Sequence, residues 1–143
     1  MQPQRNEPGI YTLILSLPQA EKIKVGSLGI MDFAGGFYSY TGSARGSGGL
    51  KRVDRHILVS NGIKTTRLWH IDYLLPHTGI LEVFITKTIQ DLECCIAKAI
   101  GKRLMPVPGF GCTDCRCISH LHYSPGLGEM REAVASAHYA TVI

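Results

Sequence analysis

Short runs of apolar and β-branched residues predict the strands of this chain. Residues 10–17 are almost all apolar or β-forming and stop at a proline, which predicts a buried first strand. Alternating apolar and charged residues, followed by an apolar return, predict a small hairpin over 21–35. Aromatic and β-branched residues predict further strands at 37–41 and 80–88.

The first helix is predicted to start near Leu50, after a glycine-rich loop. Leu50, Val53 and Ile57 follow the spacing of one helix face, so they are expected to form its buried stripe. Arg52 and His56 are four residues apart and therefore share a different face of the same helix.

A second helix is predicted to start at Thr88, with Asp91 three residues on as the other half of a cap. A closing helix with a weak apolar face is expected over about 127–140. Strands with helices between them indicate the α+β class: a small antiparallel or mixed sheet of about three central strands, flanked by helices. The apolar stripe of the second helix is expected to comprise Ile89, Leu92, Ile96 and Ile100.

The length of 143 residues suits one domain. We expect it to span 1–143, with a core over about 9–104 and a Cys/His segment at 109–123. The chain shows neither the apolar core of a signal peptide nor an apolar run long enough for a membrane span. The sequence therefore predicts a soluble, cytoplasmic protein with no membrane partner.

The net charge of +4 is concentrated in one segment. Residues 43–70 contain six cations and one anion, whereas the remainder of the chain is close to neutral. Arg45, Lys51 and Arg55 belong to this basic segment and are the expected nucleic-acid contacts. A solvated helix face is the alternative interpretation of the same residues.

Five cysteines, an odd number, without a secretory signal argue against a disulfide framework. Three of them join two histidines in a segment that offers five soft or borderline ligands within eleven residues. The spacing favours buried thiols with packed histidines, and a structural zinc ion is the alternative. The ligands of that alternative site are Cys112, Cys115, Cys117, His120 and His122.

Glu93 borders the apolar stripe of the second predicted helix, beside Ala97 and Ile100. A carboxylate at the edge of a core usually has a partner. One carboxylate with waters and a substrate phosphate is a common way to hold Mg²⁺, so Glu93 is a candidate ligand for a hard cation. A solvated glutamate is the alternative.

Two tripeptides and three later residues resemble the GIY-YIG nuclease superfamily. Gly9-Ile10-Tyr11 lies on the first predicted strand, and Tyr40-Thr41-Gly42 ends a later one. Arg52, His56 and Glu93 then follow in order. The flanking sequence resembles a small branch of that superfamily, whose members stand alone or are attached to endonuclease III-type DNA repair glycosylases.

The resemblance implies hydrolysis of DNA phosphodiester bonds with one divalent ion, Mg²⁺ or Mn²⁺, in DNA repair. It implies that Glu93 holds the metal and that Arg52 holds the scissile phosphate. Tyr11 would position or deprotonate the attacking water, Tyr40 would line the site, and His56 would relay the proton or contact phosphate. DNA and an endonuclease III-type glycosylase are the expected partners.

Two departures from that pattern favour a different class of function. Ser43 stands where the superfamily often has lysine, and no asparagine follows Glu93. These features motivate a non-cleaving nucleic-acid-binding module on a degenerate nuclease fold. A third hypothesis places a metal or redox centre in residues 112–122.

Overall fold

The computed structural model describes residues 7–46, 48–111 and 117–142. These residues form an α+β fold with two antiparallel sheets and four α-helices, together with short 3-10 turns. The strands are β1 (Gly9–Leu17), β2 (Glu21–Lys24), β3 (Ile30–Phe33), β4 (Gly36–Ser43), β5 (Gly79–Lys87), β6 (Met105–Pro106) and β7 (Leu121–Ser124). The helices are α1 (Lys51–Ser60), α2 (His70–Leu74), α3 (Glu93–Gly101) and α4 (Leu127–Val142).

Strand β1 lies near the centre of the main sheet, whose order is β5-β1-β4-β7-β6. It pairs antiparallel with β4 on one side and β5 on the other, with Tyr11 opposite Gly42 and Ile85. Gly9 fits this position because an added Cβ would lie 2.8 Å from the carbonyl oxygen of Thr86. The close approach of β5 therefore explains a glycine at the start of the strand.

Each face of the main sheet is covered by helices, which explains the nearly continuous apolar run of β1. Tyr11, Leu13 and Leu15 pack on the side of α1 and α2. Ile10 and Ile14 pack on the side of α3 and α4. The alternation of side chains along the strand thus distributes one apolar run between two cores.

The predicted hairpin over 21–35 is confirmed as the separate sheet of β2 and β3. The prediction of about three central strands is wrong, because the main sheet has five. Strand β6 has two residues, and β7 lies within the segment interpreted as a Cys/His cluster. Neither strand carries a long β-forming pattern. Strand β7 therefore forms because it pairs with β4 and not because of its local sequence.

The buried face of α1 differs from the predicted stripe. Val53, His56 and Val59 are buried, whereas Ile57 is 42% exposed. His56 is buried because its ring hydrogen-bonds to the phenol of Tyr11 beneath the helix. Leu50 and Val53 are buried as predicted, so the predicted stripe is wrong only at Ile57, and His56 is buried instead.

The predicted start of the second helix at Thr88 is wrong, since α3 begins at Glu93. The Thr88 hydroxyl accepts a hydrogen bond from the backbone N–H of Gln90, which closes a local turn instead of capping a helix. Ile89 consequently lies outside the helix and is 80% exposed. No helix among the described residues is long and apolar enough to cross a membrane.

A buried polar network connects the sheet to α4. His138 Nε2 lies 2.7 Å from the hydroxyl oxygen of Thr12, and its Nδ1 lies 2.9 Å from that of Thr86. The Thr12 hydroxyl is also 2.9 Å from that of Thr41. Both ring nitrogens of this buried histidine are therefore satisfied by threonine hydroxyls.

Thr12→Val is expected to lower the free energy of unfolding by about 1–3 kcal/mol, because it leaves buried polar groups without a partner. Urea unfolding measures the change. Thr65→Val is the matched control, since Thr65 is exposed. Equal effects of the two variants would contradict a stabilising role for the network.

Candidate functional site

A cleft of about 390 Å³ brings together four residues from four different elements. Tyr11 comes from β1, Tyr40 from β4, Arg52 from α1 and Glu93 from α3, and all four line the cleft. His56 lies behind Tyr11 rather than on the cleft wall. The predicted site residues therefore converge, with His56 as a buried supporting group.

Tyr11 and His56 form a short buried hydrogen bond, 2.6 Å between the phenol oxygen and Nε2. Burial is the main cause of a pKa for Tyr11 well above its usual value. Burial also lowers the pKa of His56 to about 3, so its imidazole is neutral near pH 7. Both groups are therefore neutral near pH 7, and they share one proton-bridged contact between the phenol oxygen and Nε2.

Gly42 is required beneath the Tyr11 ring, because an added Cβ would lie 2.5 Å from Cζ of Tyr11. Gly42→Ala is expected to displace the phenol, weaken its bond to His56 and destabilise the fold by about 1–3 kcal/mol. Thermal unfolding measures the effect. Gly46→Ala is the matched control, since an added Cβ there meets no atom within 4 Å. Loss of stability in both variants alike would contradict the steric argument.

Glu93 is the carboxylate of the cleft and begins α3. Burial, with the nearby charge of Asp91, raises the pKa of Glu93 to about 7, and Arg52 opposes this rise. Hydrogen bonding from the backbone at Ser43 also lowers the pKa of Glu93. Its Oε2 atom lies 3.5 Å from Nδ1 of His120. A carboxylate held in this way favours binding of a positive charge in the cleft.

Trp69 is a cleft residue that the sequence interpretation missed. The guanidinium of Arg52 lies 4.8 Å from the centre of its ring, and that of Arg55 lies 4.4 Å away. Both distances are typical of cation–π contacts. No sequence signal indicated this role, because the partners of Trp69 are Arg52 and Arg55 of α1, which are brought to it only by the fold.

Arg55 is tied to Asp72 by two parallel hydrogen bonds of 2.7 and 2.8 Å. Asp72 is fully buried and also accepts hydrogen bonds from the backbone N–H groups of Leu68 and Trp69. Burial alone would raise the pKa of Asp72, but the guanidinium and these amides together lower it. The predicted contact of Arg55 with nucleic acid is untested, but its terminal nitrogens are already committed to Asp72.

The other predicted nucleic-acid contacts, Arg45 and Lys51, are not among the residues that line the cleft. Arg45 reaches the backbone carbonyl of Ile89 and lies 3.9 Å from the Asp91 carboxylate. Lys51 is exposed at the first turn of α1, one residue before Arg52. Their roles toward nucleic acid stay predictions.

The Cys/His segment is only partly within the described residues. Cys112 and Cys115 lie outside them. Cys117 and His120 come together with Cys94 of α3, and the sulfur atoms of Cys94 and Cys117 are joined as a disulfide. The argument against disulfides missed this pair. His122 is buried on β7 and does not belong to the group.

Comparison with known proteins decides the family. A family model described as "Domain of unknown function DUF123" matches residues 10–142. The chain belongs to the DUF123 family. No curated protein and no solved structure matches it.

This finding corrects the resemblance drawn from the tripeptides. DUF123 is a family distinct from the GIY-YIG nucleases, so the expected membership of that superfamily is wrong. Gly9 and Gly42 have local explanations in this DUF123 chain, namely the approach of β5 and the ring of Tyr11. Tripeptides of this kind therefore reflect packing at the ends of β1 and β4 and do not establish the family.

Proposed function

We propose that this DUF123 chain is a divalent-metal-dependent endonuclease that hydrolyses DNA phosphodiester bonds, with a role in DNA repair. The observation that carries the proposal is the convergence of a carboxylate, a guanidinium and a phenol–imidazole pair on one cleft. Phosphodiester hydrolysis needs groups that neutralise phosphate charge and that remove a proton from water. These residues supply both within a single concave surface.

The cleft suits a hard cation such as Mg²⁺ or Mn²⁺. Glu93 is buried enough to raise its pKa to about 7, so a cation at its carboxylate would relieve an unfavourable buried charge. Its Oε2 atom lies near His120, and its other oxygen, Oε1, would take the cation. A bound ion of this kind polarises the phosphoryl oxygen and lowers the pKa of a water molecule.

Arg52 is the residue that would hold the scissile phosphate. One guanidinium nitrogen donates to the backbone carbonyl of Ser43 at 2.7 Å, and the guanidinium plane lies against Trp69. These contacts fix its position at the wall of the cleft. A planar guanidinium with several N–H donors is well suited to bind phosphate oxygens.

Tyr11 and His56 would handle the proton of the attacking water. As the phenol oxygen of Tyr11 accepts that proton, its own proton passes along the 2.6 Å hydrogen bond to Nε2 of His56. Because burial lowers the pKa of His56 to about 3, this transfer would require the bound cation to lower the pKa of the attacking water. Tyr40 lies beside this pair, with its ring 6.0 Å from that of His56, and limits the space at the phenol.

The test is cleavage of nicked, flapped and branched DNA by purified protein with Mg²⁺ or Mn²⁺. We expect cleavage that depends on the metal and falls at least about 100-fold in Glu93→Gln. Asp91→Asn is the matched control, because Asp91 is an exposed neighbouring carboxylate. Cleavage that survives Glu93→Gln, or no cleavage of any of these substrates, would overturn the proposal.

One observation favours a second candidate, a nucleic-acid-binding module that does not cut. The elevated pKa of Tyr11 and the low pKa of His56, both caused mainly by burial, make the pair a weak base as it stands. Salt-dependent DNA binding without metal-dependent cleavage would support this candidate over the first. The expected endonuclease III-type partner came with the corrected resemblance and stays a prediction.

A further inference from the structure

Three residues of the metal-ligating types, Cys94, Cys117 and His120, lie close together beside the cleft. Cys94 lies in the first turn of α3, and Cys117 and His120 lie in the segment that leads into β7. Their ligand atoms all lie within 4.8 Å of one another. Residues 23 positions apart along the chain are thus brought to one point by the packing of α3 against this segment.

The distances suit a small tetrahedral ion. In a zinc site with Zn–S of about 2.3 Å and Zn–N of about 2.05 Å, a thiolate sulfur and an imidazole nitrogen lie about 3.6 Å apart. Cys94 Sγ and His120 Nε2 are separated by 3.9 Å. This separation is within about 0.3 Å of the distance expected for two ligands of one zinc ion, and reduction of the disulfide would free both sulfur atoms to bind it.

The orientation of His120 is the second independent observation. Its Nδ1 lies 3.5 Å from the Glu93 carboxylate, while its Nε2 points toward Cys94. A carboxylate on one ring nitrogen and a metal on the other is the usual arrangement of a metal-binding histidine.

We propose that Cys94, Cys117 and His120 of the reduced chain bind one zinc ion, with water in the fourth position. Two thiolates and one imidazole are ligands that zinc prefers over Mg²⁺. The oxidised form has the Cys94–Cys117 disulfide. A dithiol reductant transfers two electrons and two protons to that bond, giving two thiols and an oxidised dithiol, and zinc then displaces the two thiol protons.

The zinc ion would anchor the start of α3 to the segment before β7. His120 lines the cleft and touches Glu93, so this anchor also positions the cleft carboxylate. The site is separate from the proposed hard-cation position at Oε1 of Glu93. It does not depend on whether the chain cleaves DNA.

The first test is the metal content of untagged protein purified under reducing conditions. We expect about one zinc ion per chain, falling below about a tenth of that content in Cys94→Ser and in Cys117→Ser. Cys95→Ser is the matched control, because Cys95 is the exposed free neighbour of Cys94. Absence of zinc from folded, reduced protein would overturn the proposal, as would zinc that persists in both variants.

A second test needs no variant and covers the case in which a substitution prevents folding. Zinc-loaded, reduced wild-type protein is alkylated before and after chelation, and the modified peptides are mapped by mass spectrometry. We expect Cys94 and Cys117 to react only after chelation and Cys95 to react in both samples. Equal reaction of Cys94 in both samples would overturn the site, whatever the outcome of the cleavage assay.

Discussion

Lowering the pH from about 7 to about 4 is expected to reduce the free energy of unfolding by several kcal/mol. Burial lowers the pKa of His138 to about 4 and that of His56 to about 3. In the unfolded chain each titrates near its usual value of about 6.5, so the unfolded state binds more protons in this window. The contribution of these histidines to the free energy of unfolding is therefore complete above about pH 6.5. It is lost as the pH falls, by on the order of 3 kcal/mol for His138 alone.

The opposite sign applies to Glu93, whose pKa is raised by burial to about 7. Its protonated form favours the folded state, so its contribution to stability decreases as the pH rises from about 4.5 to about 7. One carboxyl group thus offsets part of the effect of the histidines. The net direction is still a loss of stability in acid, because burial lowers the pKa of three histidines, His56, His122 and His138, to about 3 or 4, against the one raised carboxyl of Glu93.

Urea unfolding at a series of pH values measures this dependence. His138→Gln is the informative variant, since glutamine retains hydrogen-bonding groups near Thr12 and Thr86 but does not ionise. We expect a shallower slope of unfolding free energy against pH between about 4 and 6.5 in this variant. An unchanged slope would show that His138 is not the buried titrating group.

The strand predictions succeeded where local sequence dictates structure. Residues 10–17 and the hairpin over 21–35 have patterns that suit only an extended backbone, and both were found. Strand β7 was missed because its pairing with β4 places it in the sheet. The stripe of α1 was predicted correctly at Leu50 and Val53, but the burial of His56 was missed because its partner, Tyr11, is 45 residues away.

The candidate site shows the same division between local and long-range information. Tyr11, Tyr40, Arg52 and Glu93 were chosen through the resemblance to the GIY-YIG nucleases, and although that resemblance is wrong, the fold brings them to one cleft. Trp69, Asp72 and Cys94 were missed because their roles depend on contacts between separate elements. Chemistry that depends on such contacts requires the structure.

Arg52 and Arg55 both lie against Trp69, so a variant of each can distinguish an effect on DNA cleavage from an effect on stability. Arg52→Lys is expected to reduce DNA cleavage at least about 100-fold, because lysine cannot donate to Ser43 and to phosphate oxygens with the same fixed geometry. Its effect on the free energy of unfolding is expected to stay below about 1 kcal/mol, since the Arg52 hydrogen bond goes to a backbone carbonyl and lysine keeps the positive charge near Glu93. Single-turnover cleavage and urea unfolding of one preparation measure both quantities.

Arg55→Lys is the matched comparison, because Arg55 stacks on the same tryptophan but bonds a fully buried carboxylate. Lysine retains the charge and loses the two parallel hydrogen bonds to Asp72, so we expect destabilisation of about 1–3 kcal/mol. Cleavage per folded molecule is expected to fall much less than in Arg52→Lys. Equal losses of cleavage in the two variants would mean that Trp69 and its two arginines act as one unit, and Arg52 would lose its separate assignment to the scissile phosphate.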